Sequence, residues 1–397
     1  MRRPLQIGLI GGGIGGLAAA VALSRRGFAV RVFEQSDALR EVGAGIQMAP
    51  NAVKVFRALG LEAPLHGIGF QPQAIVVRDW DDGREKRRTP MQDAEGRYGA
   101  PYYQVHRADL LDMISAALGD TQLELGTRVT AVSSTPDKAV VTFEGGRQEA
   151  FDLVVGCDGI HSLVRRTLHG AQSPRFTGTM CWRALTPVEV FPSGFVPPEM
   201  TIWMGPLGHI VIYYVRGGRL VNMVAVRRTK TWVEESWSVA SSAQELGEAF
   251  PHVNADVRML LERAQNAFKW GLFDHDPLPF WSRGRVTLLG DAAHPMLPFL
   301  AQGAAMAIED AFVLAQVLAD EPDVVRALQR YEAARLPRTA QVQLAARAQG
   351  EIFHLTSPLA RLKRRLGLDR LAGSDPRLLN RDWLYEFDAT APLPRGA

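Results

Sequence analysis

The sequence predicts an α/β fold in which a parallel-sheet unit carries an inserted β-sheet segment and is completed by C-terminal helices. Three observations predict it. A short apolar run, Leu5 to Ile10, passes through a cluster of glycines into the Ala-rich stretch Leu17 to Leu23, the pattern of strand, tight turn and helix. Between about Ser173 and Arg228 the texture changes to short strands carrying Trp182, Trp203, Tyr213 and Tyr214. Further on, Ala304 to Ala319 and Val324 to Ala346 read as long helices.

Composition narrows the class. The 397 residues carry 45 Lys and Arg against 42 Asp and Glu, and a net charge of +3 is too mild, and too scattered, for a nucleic-acid footprint. A hydrophobic share of 47% excludes a disordered chain, and at roughly 150 residues per domain the length accommodates two or three units. Cys157 and Cys181 make neither a CxxC pair nor a disulfide framework and read as small buried hydrophobes. Residues 4–24 carry no charge and follow Arg2 and Arg3, as a secretory leader would, but Gly8, Gly11, Gly12, Gly13, Gly15 and Gly16 crowd its apolar centre. A cytoplasmic protein, monomer or homodimer, with no membrane or nucleic-acid partner, is expected.

Each glycine of the first turn has a separable task. In Gly11-x-Gly13-x-x-Gly16 the first permits the tight turn, the second lets a pyrophosphate approach the backbone, and the third lets helix and strand pack closely. The helix N-terminus then offers unpaired N–H groups near Ile14 and Gly15 to the phosphates. Glu34 ends the next strand, Val30 to Glu34, eighteen residues after Gly16, where it can accept hydrogen bonds from a ribose. The unit is therefore Rossmann-like, although the turn alone does not separate NAD from FAD.

Downstream, a Gly/Pro loop from Glu41 to Asn51 precedes a helix ending at Gly60. Ala74 to Val77 with Asp82-Gly83 suggests a hairpin, and Arg107 to Leu118 a helix. Arg128 to Ser133 and Ala139 to Phe143 pair across Pro136-Asp137. Phe151 to Gly156 is a buried strand delivering Asp158-Gly159, and Arg285 to Leu289 another delivering Gly290-Asp291. Gly217-Gly218 marks a turn inside the insert, and helices resume at Ser241. Gln302-Gly303-Ala304 opens a helix whose positive end would stabilise negative charge on a reduced ring. No second GxGxxG is present for a resident nicotinamide nucleotide. Arg361, Lys363, Arg364 and Arg365 read as a solvated helix face. Asp274-His275-Asp276 imitates a metal cluster, but neighbouring side chains point apart and no partner His is near in sequence.

In this order the three motifs resemble the class A flavoprotein monooxygenases, single-component FAD-dependent aromatic hydroxylases related to p-hydroxybenzoate hydroxylase. The likeness is strongest to the salicylate, 3-hydroxybenzoate and 6-hydroxynicotinate hydroxylases. Gly43 to Asn51, Val105 to Leu110, Trp281 to Arg285 and, most specific, Gly290 to Asp310 carry it, and it covers residues 5–346. The resemblance implies bound FAD, NADH or NADPH as a transient co-substrate, and O2, with oxygen handed to a small aromatic acid or phenol from a flavin C4a-hydroperoxide. It implies that Glu34 holds the adenosine ribose, Arg107 and the Gly13 to Gly16 turn the pyrophosphate, Val129 the adenine and Asp291 the ribityl chain. Gln47, Gly303 and Ala304 would lie by the flavin, Asp158 would serve both nucleotides, and the Pro295 backbone would face the peroxide.

The expected division is an FAD-binding domain over residues 1–172 and 267–346, a substrate-binding β-rich domain over 173–266, and a helical segment and tail over 347–397. Within the insert, alternation puts His209, Val211 and Tyr213 on one face, so that His209 and Tyr213, roughly 13 Å apart along the strand, flank one small ring. A His near neutrality suits deprotonation of a ring hydroxyl, and Tyr213 would orient the ring. Leu297, Phe299, Trp203 and Met204 suggest an apolar wall. Gln47, where the 6-hydroxynicotinate enzyme has His, and Pro298, where 3-hydroxybenzoate 6-hydroxylase has Gln, support neither substrate specifically. A dehydrogenase on the same fold and a non-hydroxylating flavin-binding protein are the alternatives.

Overall fold

The protein is described by a computed structural model covering residues 3–39, 44–229, 239–354, 357, 359 and 380–394. Gly43, the start of the Glu41 loop, the basic cluster Arg361 to Arg365 and most of the expected segment 347–397 lie outside the described residues.

Five parallel strands form the nucleotide-side sheet, in the order Val286–Leu288, Leu153–Gly156, Gln6–Ile10, Ala29–Phe33 and Gln122–Glu124. Its central strands read as unbroken apolar runs because both faces are covered. The helix Ile14–Ser24 is buried almost all round and packs against the helix Gly303–Asp320; its small Ala side chains allow close approach. The run Phe151 to Gly156 divides at Asp152. Gln148–Phe151 joins a three-stranded antiparallel sheet with Ala139–Phe143 and Val129–Ser134, while Leu153–Gly156 enters the parallel sheet. The Asp152 carboxylate holds the bend by accepting from the Gln6 N–H at 2.8 Å and from Lys138 Nζ at 2.5 Å.

The second large sheet has eight strands, ordered Val239–Ala240, Phe268–Asp274, Arg175–Pro187, Leu220–Arg228, Gly208–Val215, Met200–Gly205, Ala74–Asp79 and Glu85–Pro90. It therefore reaches beyond residues 173–266, drawing in the early hairpin and a strand at 268–274, a stretch the sequence pattern assigns to helices. Phe268, Trp270 and Leu272 alternate there with Lys269 and Gly271, but Phe273 breaks the pattern after only five residues. One sheet face packs on Trp80, Trp182, Phe250 and the helices Ala243–Ala249 and Ala255–Glu262. The other looks toward the nucleotide-side unit. Among the described residues no helix is long and apolar enough to cross a membrane.

Candidate active site

Between the two sheets lies a cavity of about 320 Å³. At its nucleotide end the strand Gln6–Ile10 breaks at Gly11, which adopts φ 106° and whose Cβ would stand 2.4 Å from the Cys157 carbonyl oxygen. A Cβ on Gly16 would meet the Gly11 carbonyl oxygen at 2.0 Å. Gly13 differs: nothing lies within 4 Å of where its Cβ would be, and the helix it caps has no side-chain cap. Uncapped N–H groups beside open space form a cradle for an anion. Glu34 Oε2 accepts from the Gly12 N–H at 2.7 Å and Oε1 from the Ser36 N–H at 2.9 Å, fixing the carboxylate at the edge of the same turn.

A second helix end enters beside the first, where a Cβ on Gly15 would meet that of Ala307 at 3.1 Å. Gly290, at φ 64°, turns the chain so that Asp291 lines the cavity, and Gly303 and Ala304 open the helix Gly303–Asp320, again with no side-chain cap. Burial pushes the Asp291 carboxyl up, while nearby His294 and Arg107 oppose the shift. Burial also lowers Arg107 to about 10, with Arg183 beside it adding to the effect. The turn is held from below: Asp310 Oδ2 accepts from the Gly290 N–H at 3.2 Å and from His294 Nε2 at 2.5 Å, and Oδ1 accepts from Arg335 Nε at 2.7 Å. The open Gly13, two uncapped helix ends, and an arginine and a carboxyl that face the cavity fit the phosphates, ribityl hydroxyls and ring of FAD.

The other end of the cavity is the pleated face of the eight-stranded sheet. His209, Val211 and Tyr213 line the cavity with Met200, Ile202, Val224 and Val226, while Ile210, Ile212 and Tyr214 pack on the opposite face. Trp203 corrects the expected wall: it follows Ile202, so the strand's pleat turns it away to join Trp80 and Trp182 in the second core. Met204 packs against the first core without lining the cavity, whereas Leu297 and Phe299 do line it. His209 Nδ1 lies 2.9 Å from His354 Nε2, with the rings stacked at 5.1 Å between centroids. Burial, then the neighbouring His354, holds the His209 imidazole well below its usual range. Burial pushes the Tyr213 phenol up to about 12, opposed by Arg183 and by a hydrogen bond with Gln47. Gln47 Oε1 accepts in turn from the Tyr102 hydroxyl.

Of the expected site residues, Gly13, Ile14, Gly15, Gln47, Arg107, His209, Tyr213, Asp291, Gly303 and Ala304 surround this one cavity. Gly11 and Gly16 support the turn beneath it. Asp158 turns its carboxylate onto a helix start, accepting from the Leu163 N–H at 2.7 Å, the Val164 N–H at 3.2 Å and the Ser162 hydroxyl, and only its neighbours Cys157 and Gly159 reach the cavity. Pro295 precedes the lining residue Met296, and its carbonyl accepts from Gln343 Nε2 at 2.9 Å. Val129 begins a strand of the three-stranded sheet. Asp274 and Asp276 both pair with Arg347 and with Arg175. Sequence reading missed Arg183, Arg381 and His354. Two of these lie past residue 346, where no motif marks them.

The model of the family described as FAD binding domain matches residues 5–346. The chain is 41% identical over 391 residues to a 3-amino-4-hydroxybenzoate 2-monooxygenase of Streptomyces platensis, covering 98% of this chain and 97% of that one. It is 39% identical to a 6-hydroxynicotinate 3-monooxygenase of Bordetella bronchiseptica, over 85% and 89% of the two chains. Among solved structures, Klebsiella pneumoniae HpxO complexed with FAD and uric acid superposes with a TM-score of 0.85 at 26% identity, over 96% of both chains.

Proposed function

The chain belongs to the FAD binding domain family, and from that premise we propose that it is a flavin-dependent monooxygenase that hydroxylates a small aromatic acid carrying a ring hydroxyl. NADH or NADPH is the transient reductant and O2 the oxidant. Bound FAD supplies the redox chemistry that activates oxygen for electrophilic transfer to the ring. Gly13 to Gly15 and Arg107 hold its pyrophosphate, Glu34 a ribose, and Asp291 the ribityl hydroxyls. Asp158 assists indirectly, by capping the helix beside Gly159.

His209 takes the ring-hydroxyl proton. Electrophilic attack is faster on a phenolate, and a buried neutral imidazole has a free lone pair for that proton at neutral pH. Tyr213, fully protonated at that pH, donates to the substrate and fixes its orientation. The apolar residues Ile202, Val211, Val224 and Phe299 exclude water from the reacting ring. A cytoplasmic location forms part of the proposal, supported by the need for reduced pyridine nucleotide.

One observation carries the reading: the His209–Tyr213 face and both uncapped helix ends border a single cavity. The test is to purify the protein, measure its FAD content, and assay product formed from hydroxybenzoates and 6-hydroxynicotinate alongside NAD(P)H oxidation. A protein that binds no FAD, or that oxidises NAD(P)H without hydroxylating any such acid, sinks it.

A further inference from the structure

The C-terminal tail, which carries no recognisable motif, contributes a charged residue to the cavity. Residues 380–394 return to the body of the protein after the undescribed stretch, and Arg381 reaches the cavity wall. The segment is pinned firmly. Lys54 Nζ donates to the Glu386 carbonyl at 2.8 Å, the Tyr98 hydroxyl donates to Asp382 Oδ1 at 2.7 Å, and the Arg338 guanidinium sits 3.6 Å over the Phe387 ring. Facing the Arg381 guanidinium are the hydroxyls of Tyr385 and Tyr102, and among the described residues no carboxylate pairs with it.

The cavity's charges are unbalanced. Arg107, Arg183 and Arg381 line it against one carboxyl, Asp291. Arg107 is beside Asp291 and close to the glycine turn. Arg183 donates to the Gly45 carbonyl at 3.3 Å and lies over the Trp270 ring at 5.3 Å. Among the described residues Arg381 alone faces only phenols. A half-buried guanidinium with five donors, facing a cavity and with no carboxylate partner among the described residues, is a site for a planar carboxylate. Its position sets the orientation of the ligand. Tyr102 links it through Gln47 to Tyr213, so it stands at the Tyr213 end of the sheet face, four strand residues away from His209.

We propose that Arg381 anchors the carboxylate of the aromatic substrate, and that the acid selected carries its reacting hydroxyl across the ring from the carboxylate, toward His209. This rests on the monooxygenase reading above and adds the substrate's charge and substitution pattern. Ring acids with hydroxyl and carboxylate on adjacent carbons cannot span both ends, so salicylate binds more weakly than 4-hydroxybenzoate or 3-amino-4-hydroxybenzoate.

The experiment measures binding of these acids and of 4-hydroxybenzamide to the FAD-loaded enzyme by equilibrium dialysis, in wild type, Arg381→Leu and Arg381→Lys, with FAD content and circular dichroism as folding controls. Loss of one charge-assisted contact should weaken binding of the para acids roughly 10- to 150-fold in Arg381→Leu. Binding of the uncharged amide should change little, and Arg381→Lys should restore part of the loss. Should Arg381→Leu not fold, Arg381→Lys must still weaken the acids more than the amide. An acid-over-amide preference unchanged in the folded variants overturns the anchor while leaving the monooxygenase reading intact. Wild type that binds none of the hydroxybenzoates overturns both.

Discussion

His209 Nδ1 and His354 Nε2 stand 2.9 Å apart inside the protein, which requires one ring to donate and the other to accept. When His209 donates, its Nε2 is left with a lone pair, the form a base needs. Phe299 and Phe353 pack against the pair and make charge on both rings together costly.

Replacing His209 by Ala should slow hydroxylation about 10²- to 10⁴-fold, the usual scale of general-base help. NAD(P)H oxidation should continue with hydrogen peroxide in place of product, and high pH should relieve part of the defect by ionising the substrate. Normal coupling in this variant would make His209 a structural residue.

His354→Phe should act through His209 rather than on substrate. Without the second ring's charge the His209 imidazole becomes more basic, so the acid limb of the kcat/KM profile should move to higher pH. An unmoved limb would separate the two histidines functionally.

Acid should destabilise the fold early. His106, His209 and His275 are buried and all held low, His275 at about 4, with burial the main cause of each. Above about pH 6.5 both folded and unfolded forms are neutral and the contribution is complete. Below it the unfolded chain takes protons first, so stability falls as pH drops, by up to about 1.4 kcal/mol per pH unit for each residue. Urea unfolding at pH 7.5, 6.0 and 5.0 measures the slope; a flat profile across that range contradicts the burial argument.

Arg335 lies buried with Nη1 2.7 Å from Glu309 and Nε 2.7 Å from Asp310. Arg335→Met removes the cation that both carboxylates share, leaving Glu309 to Arg338 and Asp310 to His294 and the Gly290 N–H. We expect a loss of about 3 to 5 kcal/mol in unfolding free energy and weaker FAD retention, because Asp310 holds the Gly290 turn. Retained stability would mean that the carboxylates find other partners.

The two glycine substitutions separate fold from binding. Gly16→Ala drives a Cβ into the Gly11 backbone and should impair folding. Gly13→Val should fold, since that site is open, yet release FAD on dilution because the side chain fills the phosphate cradle. Glu34→Lys should do the same by loss of a contact worth about 1.5 to 3 kcal/mol. Released-flavin fluorescence reads both, and tight FAD in either variant removes that residue from the cradle.

What the sequence determined by itself is local in origin. The order Leu5 to Leu23 dictates strand, turn and helix because the glycines at 11 and 16 tolerate contacts no side chain could, and the two-residue period of Gly208–Val215 dictates which face His209 and Tyr213 share. Only the tertiary structure decided what joins them there. Trp203 left the cavity because the register of Met200–Gly205 against Gly208–Val215 puts Ile202 toward it instead. Asp158 became a helix cap through backbone donors five and six residues on. His354 and Arg381 meet residues more than a hundred positions away. Contacts at that separation depend on helix length, packing of Gly303–Asp320 and the docking of a tail, none of which leaves a periodic trace in the chain.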